Sequence, residues 1–234
     1  SSFGYSGTIA HVVLRNASYA TTRAPPLVYD RRAFRWGDPT HPFAQRHTPS
    51  SEGTVIFCST AADFNKLIDH HVVQDRVVFP GAGYLEMARA AVTAGSALRG
   101  VFFLQPLAVE AAGLLVECVV AGGRFDVRSG EDDALADAAV HCSGTIAAID
   151  GWQRVEHASV RGRSCARVAH AGALYDGFHA VGLQYGPGYR TLVRAWGGAS
   201  DAAARLRVRA THEGTRVHPA DLDDALCLGA VVGE

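Results

Sequence analysis

The 234-residue sequence has no excess of either charge: 22 Lys and Arg stand against 23 Asp and Glu. No dense basic run appears, which argues against nucleic acid and anionic membrane as partners. No apolar stretch approaches the roughly 18–20 residues that cross a bilayer, and the opening residues lack the pattern of a signal peptide. Cysteine is scarce and unpaired in pattern: Cys58, Cys118, Cys142, Cys165 and Cys227 are odd in number, widely spaced and form no Cys-x-x-Cys. A disulfide framework and a zinc site are both disfavoured, and a reducing, cytoplasmic compartment is expected. The 11 histidines include no His-x-x-x-His or His-Glu-x-x-His, so no metal is expected. What remains is a soluble chain long enough to bury a core in one large or two small domains.

What is present falls into distinct stretches. Ser1–Leu14 is short, apolar and glycine-bearing, and residues 15–51, rich in Pro, Arg, Thr and Ser, read as a linker. From about Gly53 the pattern becomes that of a packed α+β domain. Gly53–Ser59 and Val72–Phe79 read as strands, and Pro80-Gly81 ends the second. Tyr84, Leu85, Ala88, Ala91 and Val92 then recur at helical spacing. LLVECVV and RFDVRS form a hairpin joined at Gly122-Gly123, Glu131–Asp137 is an acidic loop, and Ala139–Ile149 is a further strand. Ala171–Val181 reads as a helix with Leu174, Phe178 and Val181 on one face, stopped by Gly182. Ala204–Ala210 alternates Leu206 and Val208 against Arg205, Arg207 and Arg209, the pattern of a half-buried strand. A second apolar helix follows Pro219.

The order "proline, buried helix, strands" therefore begins twice. After Pro80 there is chain enough for a sheet to wrap its helix. After Pro219 only 15 residues remain, so the second unit is expected to be incomplete and the chain a fragment.

Reactive groups concentrate in two places. In HHVVQDRVVFPGAG, from His70 to Gly83, Pro80 and Gly81 open a helix whose first N–H groups can polarise a carbonyl oxygen. A histidine upstream on the strand could stand near that carbonyl as a base. In HPADLDDALCL, from His218 to Leu228, Asp223 and Cys227 are four apart and share a helix face. Asp224 points about 100° away and is expected in solvent.

The first stretch resembles the signature of polyketide and fatty-acid synthase dehydratases, His-x-x-x-Gly-x-x-x-x-Pro followed by Gly and an aromatic-Leu-Glu. His71, Pro80, Gly81, Tyr84, Leu85 and Glu86 match it, and Asp75 replaces the family glycine. The second resembles His-Pro-x-x-Leu-Asp-x-x-x-Gln/His at His218, Pro219, Leu222 and Asp223, with Cys227 at the terminal place. Between them, Tyr185, Gly186, Pro187 and Tyr189 are similar to the Tyr-Gly-Pro-x-Phe motif. The likeness covers roughly residues 40–234. Residues 1–14 resemble instead the end of a ketosynthase, with His11 at its histidine position and Ile9 in place of asparagine. A ketosynthase end running directly into a dehydratase resembles synthases served by a separate acyltransferase.

The resemblance implies an α+β double hotdog: two antiparallel sheets, each wrapping a helix, with the site between them. The implied boundaries are 1–14 for the ketosynthase tail, 15–51 for the linker, 52–166 for the first hotdog and 167–234 for the incomplete second. The implied reaction eliminates water from a 3-hydroxyacyl thioester carried on the phosphopantetheine of an acyl carrier protein, with no cofactor in the domain itself. His71 would be the base, Asp223 the acid and the Gly81 N–H the carbonyl donor. Tyr185, Gly186, Pro187 and Cys227 would line the substrate. Expected partners are the carrier protein, neighbouring synthase domains (a ketosynthase and a ketoreductase) and a second copy of the chain. Two other readings keep this fold: a double-bond isomerase or cyclase, and a non-catalytic dehydratase-like domain suggested by Asp75 and Cys227.

Overall fold

The computed structural model describes residues 2–5, 8–11, 41–49, 55–92, 95–109, 113–130, 138–149, 151, 156, 162 and 167–232. The expected acidic loop at Glu131–Asp137, Cys165 and most of the linker lie outside them. The chain divides into two compact units, Ser1–Trp36 and Gly37–Glu234. In the first, β1 (Ser2–Tyr5) and β2 (Thr8–His11) pair as an antiparallel hairpin.

The second unit begins earlier than composition suggested. β3 (Arg46–Pro49), inside the stretch read as linker, pairs with β4 (Val55–Thr60), and Phe43 in the same stretch is fully buried against Phe64 and Phe79 at ring distances of 5.7 and 5.4 Å. One aromatic anchor is enough to draw a polar segment onto a core, and a composition average hides it.

β4 leads into α1 (Ala61–Ile68), and then come β5 (Val72–Val73), β6 (Arg76–Val77) and α2 (Gly81–Ala91). The run Val72–Phe79, expected as one strand, is instead a tight hairpin. Gln74 and Asp75 both take positive φ, 49° and 62°, and reverse the chain between β5 and β6. Strands β7 (Ser96–Phe103), β8 (Leu115–Ala121), β9 (Arg124–Gly130) and β10 (Ala139–Ala148) complete an antiparallel sheet of order β3-β4-β8-β9-β10-β7. The β8–β9 hairpin turns at Gly122-Gly123 as expected. Strand β7 had no alternating signature because its register against β10 shifts between Ser143 and Thr145. One face of this sheet covers α2, and Phe64, Ile68, Met87, Val116, Phe125 and Val127 fill the space between.

The remaining elements are β11 (Arg167–Ala169), α3 (Ala171–Ala180), β12 (Leu192–Gly197), β13 (Ala202–Leu206) and α4 (Pro219–Cys227). Their strands form an antiparallel sheet of order β11-β12-β13, and α4 packs beside α2. Helix α3 stops at Gly182 as expected, but Val181 is 72% exposed and does not share the buried face of Tyr175 and Phe178. Strand β13 ends at Leu206, and Val208 is 91% exposed. There the arginines are used, not the valine: Arg207 and Arg209 turn back to bond carbonyls of the 187–190 turn.

Candidate active site

His71 sits just ahead of the β5–β6 hairpin, and the hairpin aims it. Val78 N–H donates to the His71 carbonyl at 3.1 Å, while His71 Nδ1 meets the Val78 carbonyl at 2.6 Å. A carbonyl only accepts, so Nδ1 carries a proton, and Nε2 is the nitrogen left to take up or release the second one. That nitrogen faces Asp223 Oδ1 at 3.9 Å, too far for a hydrogen bond and close enough for the charges to couple. The imidazole is enclosed by Tyr185 and Tyr189, with ring centroids at 5.3 and 5.2 Å.

Asp223 projects from the first half of α4. Pro219 opens that helix, and His218 caps it by accepting the Ala220 N–H at Nδ1. Burial and the nearby Arg209 hold the His218 ring down at about 4, so it stays neutral and serves as a cap. Asp223 is buried, and its Oδ2 has no hydrogen-bond partner. Desolvation pushes its carboxyl above the usual range, opposed by the charge of His71 and by the Tyr185 hydroxyl. A carboxyl in that state can hold a proton to give away.

The structure reverses the expectation for Asp224. It is fully buried, not solvated, and accepts from the Tyr175 hydroxyl at 2.9 Å, the Thr191 N–H at 2.7 Å and the Thr191 hydroxyl at 2.6 Å. Helical spacing correctly put it on another face from Asp223, but that face meets α3 and β12 instead of water. Asp224 is the bolt that fixes α4 and so holds Asp223 in place.

Cys227 lies one turn after Asp223, with Sγ 3.6 Å from the Tyr185 hydroxyl. Burial raises its thiol to about 11, so it is a neutral neighbour of the carboxyl. Tyr185, Gly186 and Pro187 belong to a turn wrapped around His70. The Gly186 N–H donates to the His70 carbonyl at 2.8 Å, and the Gly188 N–H donates to His70 Nδ1 at 3.1 Å. A Cβ at Gly186 would fall 2.6 Å from the His70 ring, and one at Gly188 closer still. The two glycines are thus required by His70, which positions the turn while His71 faces the site.

A second tie crosses at the hairpin tip. The Asp75 N–H donates to Gln184 Oε1 at 2.7 Å, and Gln184 Nε2 donates to Asp75 Oδ1 at 2.8 Å. Asp75 tolerates positive φ better than most residues, and the paired bonds give it a local role that glycine lacks. Sequence reasoning did not find this pair, nor Thr191, Tyr175 or the arginines that hold the turn. Arg190 Nε donates to the Tyr185 carbonyl at 2.7 Å and Arg209 to that of Gly188 at 3.0 Å. Glu86, the last residue of the first motif, is a buried residue of α2. It binds Arg89, His41 and the Arg216 N–H, which hold its carboxyl down at about 2.

Beside His71 opens a cavity of about 390 Å³ whose wall includes Gly81, Val78, Phe79, Tyr84 and Phe103. Gly81 begins α2, and the first N–H groups of a helix have no intrahelical acceptor. Asp223 is not on this wall; its Oδ1 stands 3.9 Å from the Nε2 of His71, which is.

Two antiparallel sheets with buried helices make this an α+β protein of the double-hotdog class. Residues 41–129 match the polyketide synthase dehydratase domain, and residues 153–232 match the polyketide synthase dehydratase N-terminal domain. The chain belongs to the polyketide synthase dehydratase family. Polyketide synthase ThaG of Burkholderia thailandensis is 34% identical over 197 residues, 78% of this chain and 4% of ThaG. Erythronolide synthase EryA2 of Saccharopolyspora erythraea is 30% identical over 197 residues, 78% of this chain and 6% of its own length. The chain thus spans a small part of these relatives. In fold it is similar to the dehydratase domain from the CurF module of curacin polyketide synthase, with TM-score 0.71, 21% identity, and 82% and 77% of the two chains covered. It is also similar to a trans-AT polyketide synthase dehydratase domain from Brevibacillus brevis, with TM-score 0.69, 24% identity, and 82% and 75% covered.

Proposed function

We propose that this chain dehydrates a 3-hydroxyacyl thioester, carried on the phosphopantetheine of an acyl carrier protein, to the 2,3-enoyl thioester. The observation that carries the reading is the pairing at the site: His71 Nε2, the ring nitrogen left open to exchange a proton because Nδ1 is engaged, faces a buried carboxyl with a free oxygen. His71 Nε2 takes the α-proton, and the electrons of the Cα–H bond form the Cα=Cβ bond as the Cβ–O bond breaks. Asp223 gives its proton to the departing hydroxyl, which leaves as water. The proton then on His71 returns to Asp223, and both groups are reset. The Gly81 N–H, at the positive end of α2, steadies the negative charge that builds on the thioester oxygen. Tyr185, Gly186 and Pro187 shape the wall next to the pair, and Cys227 borders the carboxyl as a neutral thiol. The chemistry needs no cofactor beyond the carrier's own arm.

In the same reading, residues 1–14 are the end of a ketosynthase preceding the dehydratase, 52–166 and 167–234 are its two hotdogs, and the partners are the carrier protein, adjoining synthase domains and a second copy. No described helix is long and apolar enough to cross a membrane.

The test is to incubate the chain with a 3-hydroxyacyl pantetheine thioester and follow the product by mass. Loss of one water to give the 2,3-enoyl thioester is expected. A shifted double bond or a ring in the product would reassign the reaction, and a folded protein without turnover would make the domain non-catalytic.

A further inference from the structure

The cavity beside His71 is chemically one-sided. Apart from His71, its wall carries no ionisable side chain but the Tyr84 phenol, and the side-chain amide of its one glutamine, Gln105, is turned away to the Val140 carbonyl at 2.9 Å. Such a wall offers an occupant apolar contact and little else. At its edge stands Phe103, which is 53% exposed although it is large and apolar. Its ring lies 3.4 Å from where a Cβ on Gly81 would be, and 6.3 Å from the Tyr84 ring.

The local backbone explains why a phenylalanine is held there. Strand β7 is an edge strand, and its register with β10 slips by one between Phe102–Ser143 and Arg99–Thr145. Gly100, with φ of 53°, lies within that slip. A bulge of this kind turns the strand and re-aims the side chains that follow it. Phe103 comes three residues after Gly100 and stands opposite the first turn of α2, where the side-chain-free Gly81 lets the ring come close.

We propose that Phe103 sets which acyl chains the site accepts, its ring closing the cavity against Gly81 so that the apolar tail of the substrate must run along the exposed face of the ring. The substrate class is therefore a thioester whose chain beyond the reacting carbons is apolar where it meets Phe103. This rests on the dehydratase reading for its reaction, but not for its binding. Leu104 and Pro106 extend the same apolar wall beyond the ring.

The test compares wild type with Phe103→Ala and Phe103→Trp, on 3-hydroxyacyl pantetheine thioesters of butyryl and decanoyl length. Phe103 is half exposed at an edge, so neither change endangers the core. The decanoyl-to-butyryl ratio of kcat/KM is expected to rise about tenfold in Phe103→Ala and to fall in Phe103→Trp, the scale on which apolar pockets discriminate chain size. Calorimetric binding of the matching saturated acyl-pantetheines, which have no hydroxyl to lose, should shift in the same directions. Equal changes for both lengths, in turnover and in binding, would overturn the proposal. If nothing is dehydrated yet binding shifts as stated, the reaction is wrong and the role of Phe103 stands. Turnover with an unchanged ratio means the reverse.

Discussion

The two halves that meet at the site hold their reactive groups by different means. On the first side, a sheet and α2 enclose an almost wholly apolar core, and His71 needs just one partner, the Val78 carbonyl, to fix its tautomer. On the second side the core is built of Tyr175, Tyr185, Tyr189 and Phe178, and α4 is anchored by the buried, hydrogen-bonded Asp224. A histidine is useful when neutral, so apolar surroundings suit it. A carboxyl is useful as an acid when burial raises it, and burial must be enforced by rigid neighbours. The difference teaches that a reactive side chain and the group that fixes it can be sequence neighbours with opposite duties, as with His71 and His70, or Asp223 and Asp224.

The sharpest test of that division is kinetic. His71→Ala and Asp223→Asn should each lower turnover of the 3-hydroxyacyl thioester by at least about 10²-fold, the lower end for one acid–base group. His71→Ala should do so with little change in thermal melting. Retained activity in either variant would break the assignment.

Asp224→Ala tests the other duty. It leaves the Tyr175 hydroxyl and both Thr191 donors buried without their acceptor, at about 1–3 kcal/mol for each such group, so a loss of about 3 kcal/mol or more is expected in urea unfolding. A midpoint equal to that of His71→Ala would show that α4 is held by something else.

Both carboxyls are raised by burial above their ordinary 3.8. A group raised in the folded state favours folding below its unfolded pKa, and that contribution is lost as pH rises through the folded value. Asp223→Asn has no charge to bury, so it should melt above wild type at neutral pH, with the gap closing as pH falls from the raised folded value to the ordinary 3.8. Melting curves across pH that stay parallel would contradict the direction given for Asp223.

A smaller effect is expected where the halves are tied at the surface. Gln184→Ala and Asp75→Ala should each cost roughly 0.5–1 kcal/mol, and the double variant less than their sum by about 0.5 kcal/mol, because the bonds are shared. Strict additivity would mean that Asp75 and Gln184 act apart. Smallest of all should be Cys227→Gln. If the thiol simply borders Asp223, turnover rises or stays level; a sharp loss would give the thiol a duty of its own.

The stretch from His71 to Pro80, the Tyr185–Tyr189 motif and the His218–Asp223 stretch named the family and its fold by resemblance, while periodicity and turn chemistry, which are local properties, placed individual elements. Local signals also placed α2, α3, α4 and the β8–β9 hairpin. They failed where a long-range partner decides. Phe43 joins the core because Phe64 and Phe79 receive it, and Asp224 is buried because Tyr175 and Thr191 supply donors from elements 49 and 33 residues away. His70 is structural because two glycines more than 110 residues later leave room for its ring. Sequence by itself determined which residue types stand at which intervals, and so which reactive groups were available. Motif resemblance had already singled out His71 and Asp223; only the tertiary structure decided what their neighbours His70 and Asp224 do, because desolvation and hydrogen bonding depend on partners that the chain brings together by folding.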